Sequence, residues 1–263
     1  ASLFPQSDIL SLHCVNKDML VRTRHLVGLI SGVLILSVLL PVGLSIWLAH
    51  QQVETSFIEE LDTYSARVAI RANKVATQGK DALQELERWQ GAACSEAHLM
   101  EMRRVSYSYR YIQEVAYIDN NVPQCSSLEH ESPPDTFPEP GKISKDGYRV
   151  WLTSHNDLGI IRYMVAMGTA HYVVMIDPAS FIDVIPYSSW QIDAAIIGNA
   201  HNVVITSSDE IAQGIITRPQ KTPGEHIENN GIIYDILPLP EMNISIITWA
   251  STKMLQKGWH RQV

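Results

Sequence analysis

The first strong feature of the hydrophobic pattern is an apolar run over residues 26–48, which contains no Asp, Glu, Lys or Arg. As a helix, this run would extend about 34 Å, enough to cross the hydrocarbon core of a bilayer. It is longer than the apolar core of a cleaved signal peptide, and it lacks the small-x-small cleavage pattern at its end. The pattern therefore predicts an uncleaved transmembrane helix over 26–48.

Charged residues on the two sides of this run predict its orientation. Lys17, Arg22 and Arg24 precede it, whereas residues 50–66 contain Glu and Asp but no Lys or Arg. Because basic residues concentrate on the cytoplasmic side of a membrane helix, residues 1–25 are expected to form a cytoplasmic lead. The chain beyond residue 49 is then expected to lie outside the cytoplasm.

Beyond the membrane segment, apolar residues recur every three or four positions, which is typical of one face of a helix. They are Phe57, Leu61, Tyr64, Val68, Ala72, Val75, Gly79, Ala82, Leu86 and Trp89. Such a stripe is explained either by packing on the protein's own domain or by pairing with a second copy of the chain, and both explanations stay open. Gly91 is expected to end this helix, and Ser95 is expected to cap a second one.

Short alternating segments follow, and they predict strands joined by turns rich in Asn, Asp and Gly. The predicted strands are 111–118, 122–128, 148–154, 160–167, 170–176, 191–197, 202–206, 231–237 and 243–250. A surface loop is expected over 129–146 and a short helix over 178–185. This order predicts an α+β fold in which a long helix leads into a mostly antiparallel sheet. The element order is similar to the Cache/PAS-like architecture of extracellular sensors.

Composition and net charge exclude a disordered chain and argue against a nucleic-acid-binding function. Hydrophobic residues make up 46% of the chain and charged residues 18%, as in folded rather than disordered proteins. The formal net charge is −8, so nucleic acid is not an expected partner, because phosphate binding needs a basic surface.

The chain has three cysteines, Cys14, Cys94 and Cys125. The predicted topology leaves Cys14 on the reducing cytoplasmic side and places Cys94 and Cys125 outside, where they can pair. Their separation excludes a Cys-x-x-Cys redox motif and most zinc sites. From the cysteine count alone, a plain structural disulfide is favoured over a regulatory one.

A more specific signal surrounds the second external cysteine. Cys125, Ser126 and Ser127 form a Cys-Ser-Ser tripeptide, preceded by the turn at 119–121 and, further upstream, by Cys94 and the membrane segment. Over residues 20–263 the combination resembles the CSS-motif periplasmic sensor domain of bacterial cyclic-di-GMP phosphodiesterases of the EAL type. The resemblance implies that Cys94 and Cys125 are the redox-active disulfide pair and that their state regulates a cytoplasmic phosphodiesterase.

The resemblance also implies a bacterial inner-membrane protein whose residues 50–251 form the periplasmic sensor domain. Residues 252–263 would approach a second transmembrane helix. A homodimer through the long helix and periplasmic thiol-redox proteins are the expected partners. No Glu-Ala-Leu triplet occurs in the chain, so no catalytic residue is expected here. The ten histidines form no His-x-His or His-x-x-x-His pair, so no metal site is expected, and no cofactor is expected either. Two alternatives remain: a Cache-like small-molecule sensor with a structural disulfide, and a stand-alone membrane interaction protein.

Overall fold

The computed structural model describes residues 8–128, 136–137, 139–140, 142–144, 146–157, 160–187, 190–198, 202–216, 226–240 and 242–253. Within these ranges, only the backbone is described for 8–26, 142, 152–157 and 160–163. The described chain separates into two compact units, one ending at Thr55 and the other beginning at Ser56.

The long helix α1, Asp8–Leu86, is continuous over 79 residues and includes Pro41. Its apolar part is long and apolar enough to cross a membrane, and that part is not buried inside the protein. The sequence predicts that the helix extends to Gly91, but it ends at Leu86. The backbone tightens there into three-residue turns, in which the amides of Arg88 and Trp89 donate to the carbonyls three residues earlier.

After α1, the helix α2, Glu96–Ser108, begins at the expected cap, since the Ser95 side chain accepts a hydrogen bond from the amide of His98. Six antiparallel strands then form the first sheet, in the order β2-β1-β6-β5-β4-β3. Their bounds are β1 Ile112–Asp119, β2 Val122–Ser126, β3 Lys142–Ile143, β4 Arg149–Asp157, β5 Ile160–Gly168 and β6 Tyr172–Ile176.

A 3₁₀ turn at Pro178–Phe181 follows β6 and replaces the longer helix predicted over 178–185. The remaining strands form a second antiparallel sheet in the order β8-β7-β11-β10-β9. Its strands, with a short helix α3 between β8 and β9, are β7 Asp193–Gly198, β8 Val203–Ser207, α3 Gln213–Ile216, β9 Ile227–Asn229, β10 Ile232–Leu239 and β11 Ile244–Ser251. The α+β prediction is therefore confirmed, but the strands are divided between two sheets.

The apolar stripe of α1 packs on the protein's own sheets. Phe57, Leu61 and Val68 are at most 1% exposed, and they share one core cluster with Ile176 of the first sheet and Ile246 of the second. Burying a side chain of this size contributes about 1.5–3 kcal/mol. Of the two explanations for the stripe, packing on its own domain is the one that the structure shows.

The last turns of α1 belong to a second cluster, which holds α2 against the first sheet. Leu83 and Leu86 are fully buried there together with Met102 of α2, Val115 of β1 and Val174 of β6. This cluster positions the start of α2 beside strands β1 and β2.

Candidate disulfide site

The candidate site is the disulfide that joins Cys94 to Cys125, whose Cα atoms lie 5.8 Å apart. Cys94 lies in the turn before α2 and has a φ of 55°, in the left-handed region that residues other than glycine rarely adopt. Cys125 lies on β2, an edge strand of the first sheet, opposite Tyr117 of β1. The bond therefore ties the beginning of a helix to the edge of a sheet.

His98 lies directly beside the disulfide and is fully buried. Its Nδ1 accepts a hydrogen bond of 2.9 Å from the backbone amide of Cys94, so the ring proton of the neutral imidazole lies on Nε2. Nε2 is 2.8 Å from the phenol oxygen of Tyr172, to which it donates. Burial lowers the pKa of His98 below its ordinary value, which favours this neutral form.

Aromatic rings surround His98 on its remaining sides. Trp89 stacks on the imidazole at a centroid distance of 5.3 Å, and Tyr117 meets it edge-on at 5.3 Å. Gly91 is required next to this stack, since a Cβ at that position would come within 2.4 Å of the Trp89 ring. Burial, and then the charge of Glu87, raise the pKa of Tyr172 to about 12. Tyr172 therefore stays a neutral phenol at physiological pH.

The two serines of the tripeptide anchor the chain after Cys125 to the neighbouring strand. Ser126 donates to the buried carboxylate of Glu114, and it accepts from the amide of Leu128 at 3.1 Å. The Ser127 hydroxyl accepts from the buried amide of Val115 at 3.0 Å, while the Ser127 amide donates to the Val115 carbonyl at 2.8 Å. These bonds explain why small hydroxyl side chains follow the cysteine.

A polar cluster connects α2 to the end of α1. The guanidinium of Arg104 on α2 contacts the carboxylate of Glu85 on α1 and that of Glu101 one turn earlier on its own helix. The Tyr109 hydroxyl, at the end of α2, donates to the other oxygen of Glu85 at 2.8 Å. The hydrogen bond from Arg104, followed by that from Tyr109, holds the pKa of Glu85 below its ordinary value. Glu85 therefore links the last turns of α1 to the middle and the end of α2.

The structure brings together the residues that the sequence predicts for the site, namely Cys94, Cys125, Ser126 and Ser127. Sequence reasoning missed His98 and Tyr172. His98 follows Cys94 by four positions, and this short separation in the sequence was an available signal. Tyr172 lies 74 residues after His98, and no local pattern connects the two.

A cavity of about 280 Å³ lies between the two sheets, away from the disulfide. Its walls are mostly apolar and include Val165, Met167 and Ile196. At its rim the ammonium group of Lys80 is 2.5 Å from a carboxylate oxygen of Asp146. This space is the structural counterpart of the alternative in which the domain binds a small molecule.

Comparison with known proteins decides the family. The profile of the family described as "CSS motif domain associated with EAL" matches residues 57–263. The chain belongs to the CSS-motif family. Over 243 residues it is 99% identical to "Probable cyclic di-GMP phosphodiesterase PdeB" of Escherichia coli K12, a match that covers 92% of the chain and 47% of that protein. The chain thus spans about half the length of this curated relative.

Among solved structures, the ligand-binding domain of the Pseudomonas fluorescens chemoreceptor CtaA superposes with a TM-score of 0.50 at 10% identity. The match covers 76% of this chain and 99% of that domain. An extracellular ligand-binding receptor from Desulfohalobium retbaense also gives a TM-score of 0.50, at 8% identity, covering 73% of this chain and 39% of the receptor.

These two likenesses show the fold, which is Cache-like. The resemblance drawn from the Cys-Ser-Ser tripeptide is confirmed. The family is a domain associated with EAL, which agrees with the prediction that the catalytic module is not part of these residues.

Proposed function

We propose that this CSS-motif domain is the periplasmic redox sensor of a membrane-anchored cyclic-di-GMP phosphodiesterase, and that its Cys94–Cys125 disulfide regulates the catalytic module. The observation that carries the proposal is the position of the bond. It joins the start of α2 to an edge strand, and α2 in turn contacts the last turns of α1 through Arg104 and Glu85. The same helix α1 contains the apolar segment able to cross a membrane.

The chemical step is a two-electron exchange with a dithiol. The external dithiol becomes a disulfide, the Cys94–Cys125 bond breaks, and each sulfur gains one electron and one proton. In the reduced form the start of α2 is held only by noncovalent contacts, among them the Ser95 cap and the hydrogen bond between Cys94 and His98. We expect the segment before α2 to repack and to shift the end of α1. Packed helices move as rigid units, so a shift of one helix can displace its neighbour.

The proposed topology follows the charge asymmetry around the apolar run. Residues 1–25 lie in the cytoplasm, 26–48 cross the inner membrane and 50–251 form the periplasmic domain. The approach to a second transmembrane helix, predicted over 252–263, falls outside the described residues apart from its first two. Periplasmic thiol-redox proteins are the proposed partners, because they supply the dithiol that the exchange requires.

A homodimer through α1 also remains part of the proposal. Since the apolar stripe of α1 packs on its own sheets, only the opposite face of that helix is left for a second copy. Ile70 lies on that face and is 68% exposed. Disulfide cross-linking of an Ile70→Cys variant in membranes tests this contact, with Tyr107→Cys as a control on α2, where Tyr107 is 94% exposed. Equal cross-linking of the two variants would contradict a specific dimer through this face of α1.

The redox proposal is tested with the longer phosphodiesterase that contains this domain, assayed for cyclic-di-GMP hydrolysis in membranes poised with oxidised or reduced dithiol. We expect hydrolysis to differ between the two conditions, and we expect Cys94→Ser and Cys125→Ser to fix it at the reduced-state value. Cys14→Ser is the matched control and should keep the redox response. Equal hydrolysis by wild type and both variants under both conditions would overturn the proposal.

A second function is favoured by the cavity between the sheets, which gives a Cache-like fold space for a small amphipathic molecule. Thermal unfolding of the chain with candidate metabolites tests it. A ligand that raises the melting temperature of wild type but not of a cavity-filling Val165→Phe variant would support small-molecule sensing. The longer relative makes the third alternative, a stand-alone interaction protein, the least favoured.

A further inference from the structure

Cys94, His98 and Cys125 form a cluster of ligand atoms that a metal ion could share. Their two sulfurs and one imidazole nitrogen all lie within 4.8 Å of one another, and no other His, Cys, Asp or Glu of the described residues joins the group. Zinc bound by two thiolates and an imidazole separates its ligand atoms by about 3.5–3.8 Å. The cluster is therefore already at the scale of a metal site, provided that the disulfide opens.

The imidazole is oriented as a metal ligand would be. Nε2 donates a hydrogen bond to the Tyr172 hydroxyl at 2.8 Å. The lone pair of Nδ1 therefore points toward Cys94, whose backbone amide donates a hydrogen bond to it at 2.9 Å. A second-shell acceptor that holds the far nitrogen of a histidine is the usual support of a metal-binding imidazole. Tyr172 provides that support from a strand 74 residues away.

The surroundings also favour a cation once the sulfurs are reduced. His98 is fully buried and both cysteines are half-buried, and the rings of Trp89 and Tyr117 pack against the imidazole. Thiolates in such a setting have lost part of their hydration, which costs free energy unless a positive charge compensates. Two thiolates and one neutral imidazole are ligands that select Cu⁺ or Zn²⁺ over harder ions.

We propose that the dithiol form of this site binds one Cu⁺ or Zn²⁺ ion through Cys94 Sγ, Cys125 Sγ and His98 Nδ1. An external dithiol first reduces the bond, becoming a disulfide itself. The ion then replaces the two thiol protons, which are released, and Nδ1 exchanges the Cys94 amide for the metal. A water molecule or a small anion fills any fourth position on zinc.

This site would make the redox balance depend on the metal. An ion that binds only the dithiol form raises the dithiol-to-disulfide ratio about 100-fold when its free concentration is 100 times its dissociation constant. The inference deepens the proposed function and shares one premise with it, namely that the disulfide can be reduced in the folded chain. It stands even if the dithiol has no effect on hydrolysis of cyclic di-GMP.

The test uses the full chain in detergent, carrying Cys14→Ser, reduced with a phosphine under anaerobic conditions and titrated with Co²⁺ alone. We expect one equivalent of cobalt to give a thiolate-to-cobalt charge-transfer band, and the disulfide form of the same preparation to give none. Addition of Zn²⁺ or Cu⁺ should then bleach the band, and the relative concentrations required identify the favoured ion.

Variants assign the ligands. His98→Asn keeps an oxygen that can accept the hydrogen bond from the Cys94 amide but removes the Nδ1 ligand, so metal affinity should fall at least about tenfold. Cys125→Ser should lose about half of the band, and the exposed His171→Gln is the matched control that should bind as wild type. Circular dichroism checks that each variant is folded.

The outcomes separate this inference from the proposed function. A reduced chain with two titratable thiols but no charge-transfer band, or binding unchanged by His98→Asn, would overturn the metal site. A bond that cannot be reduced in the folded chain would overturn both proposals. If the reduced protein binds metal but hydrolyses cyclic di-GMP at the same rate in both thiol states, only the redox-sensor proposal is overturned.

Discussion

Reduction of the Cys94–Cys125 bond is expected to lower the free energy of unfolding by about 3.7 kcal/mol. The bond closes a loop with a sequence separation of 31 residues. The chain-entropy relation for such a loop gives about 12 cal/mol/K, or about 3.7 kcal/mol at 25 °C. This is a large part of the about 5–15 kcal/mol that stabilises a typical domain.

The structure also sets a lower bound on this value. Cys94 has a φ of 55°, and a residue other than glycine in that region costs about 1–2 kcal/mol. If reduction allows the turn before α2 to leave this conformation, the reduced form recovers that strain and the difference falls to about 2 kcal/mol. If the Ser95 cap and the His98 hydrogen bond keep the turn in place, the full 3.7 kcal/mol remains.

Urea unfolding of the detergent-solubilised chain, followed by tryptophan fluorescence with and without a phosphine reductant, measures this difference. We expect the melting temperature to fall by about 7–15 °C in parallel, as is usual for a domain of this size. The double variant Cys94→Ser/Cys125→Ser should match the reduced form and ignore reductant, while Cys14→Ser should match wild type. A difference below 1 kcal/mol with complete reduction of the bond would refute the loop-closure reasoning.

Three further predictions follow from single contacts. Ser127→Ala leaves the buried amide of Val115 without its hydroxyl acceptor and should cost about 1–3 kcal/mol in urea unfolding; a loss below 0.5 kcal/mol would count against the bond. Burial, and then the charge of Asp62, raise the pKa of the buried Asp235 carboxyl. At pH values above this folded-state pKa, Asp235→Asn should raise the melting temperature. The gain should shrink as the pH falls, because native Asp235 then becomes neutral, and a pH-independent gain would contradict this cause. Tyr172→Phe should weaken cobalt binding by the reduced chain about tenfold, because the phenol that orients the imidazole is lost; unchanged affinity would remove Tyr172 from the site.

The parts of the fold that depend on local periodicity could be predicted from the sequence. The stripe from Phe57 to Leu86 lies on the buried face of α1, and Ser95 caps α2 as expected. Most strands were found because their inward residues alternate or form short apolar runs between turns. The elements that were missed, β3, α3 and β9, have two to four residues each, too few for a period to be recognised.

Features that depend on pairing between distant segments could not be predicted. The division of the strands into two sheets depends on which edges pair, and β6 pairs with β1 whereas β11 pairs with β7. Neither choice leaves a mark in the local pattern. The environment of His98 could not be predicted for the same reason, because its hydrogen-bond partner Tyr172 lies on β6 and its stacking partner Trp89 lies after α1.

The three residues of the Cys-Ser-Ser tripeptide have different contacts, and these contacts predict which side of the disulfide moves on reduction. Ser126 and Ser127 tie β2 to Glu114 and Val115 of β1, and neither bond involves a sulfur. Reduction therefore leaves these hydrogen bonds between β2 and β1 in place, while it removes the disulfide that ties the segment leading into α2. Movement on reduction is then expected on the helical side, where Arg104 contacts Glu85 at the end of α1. In the proposed switch, the edge strand therefore stays in place and α2 moves relative to it.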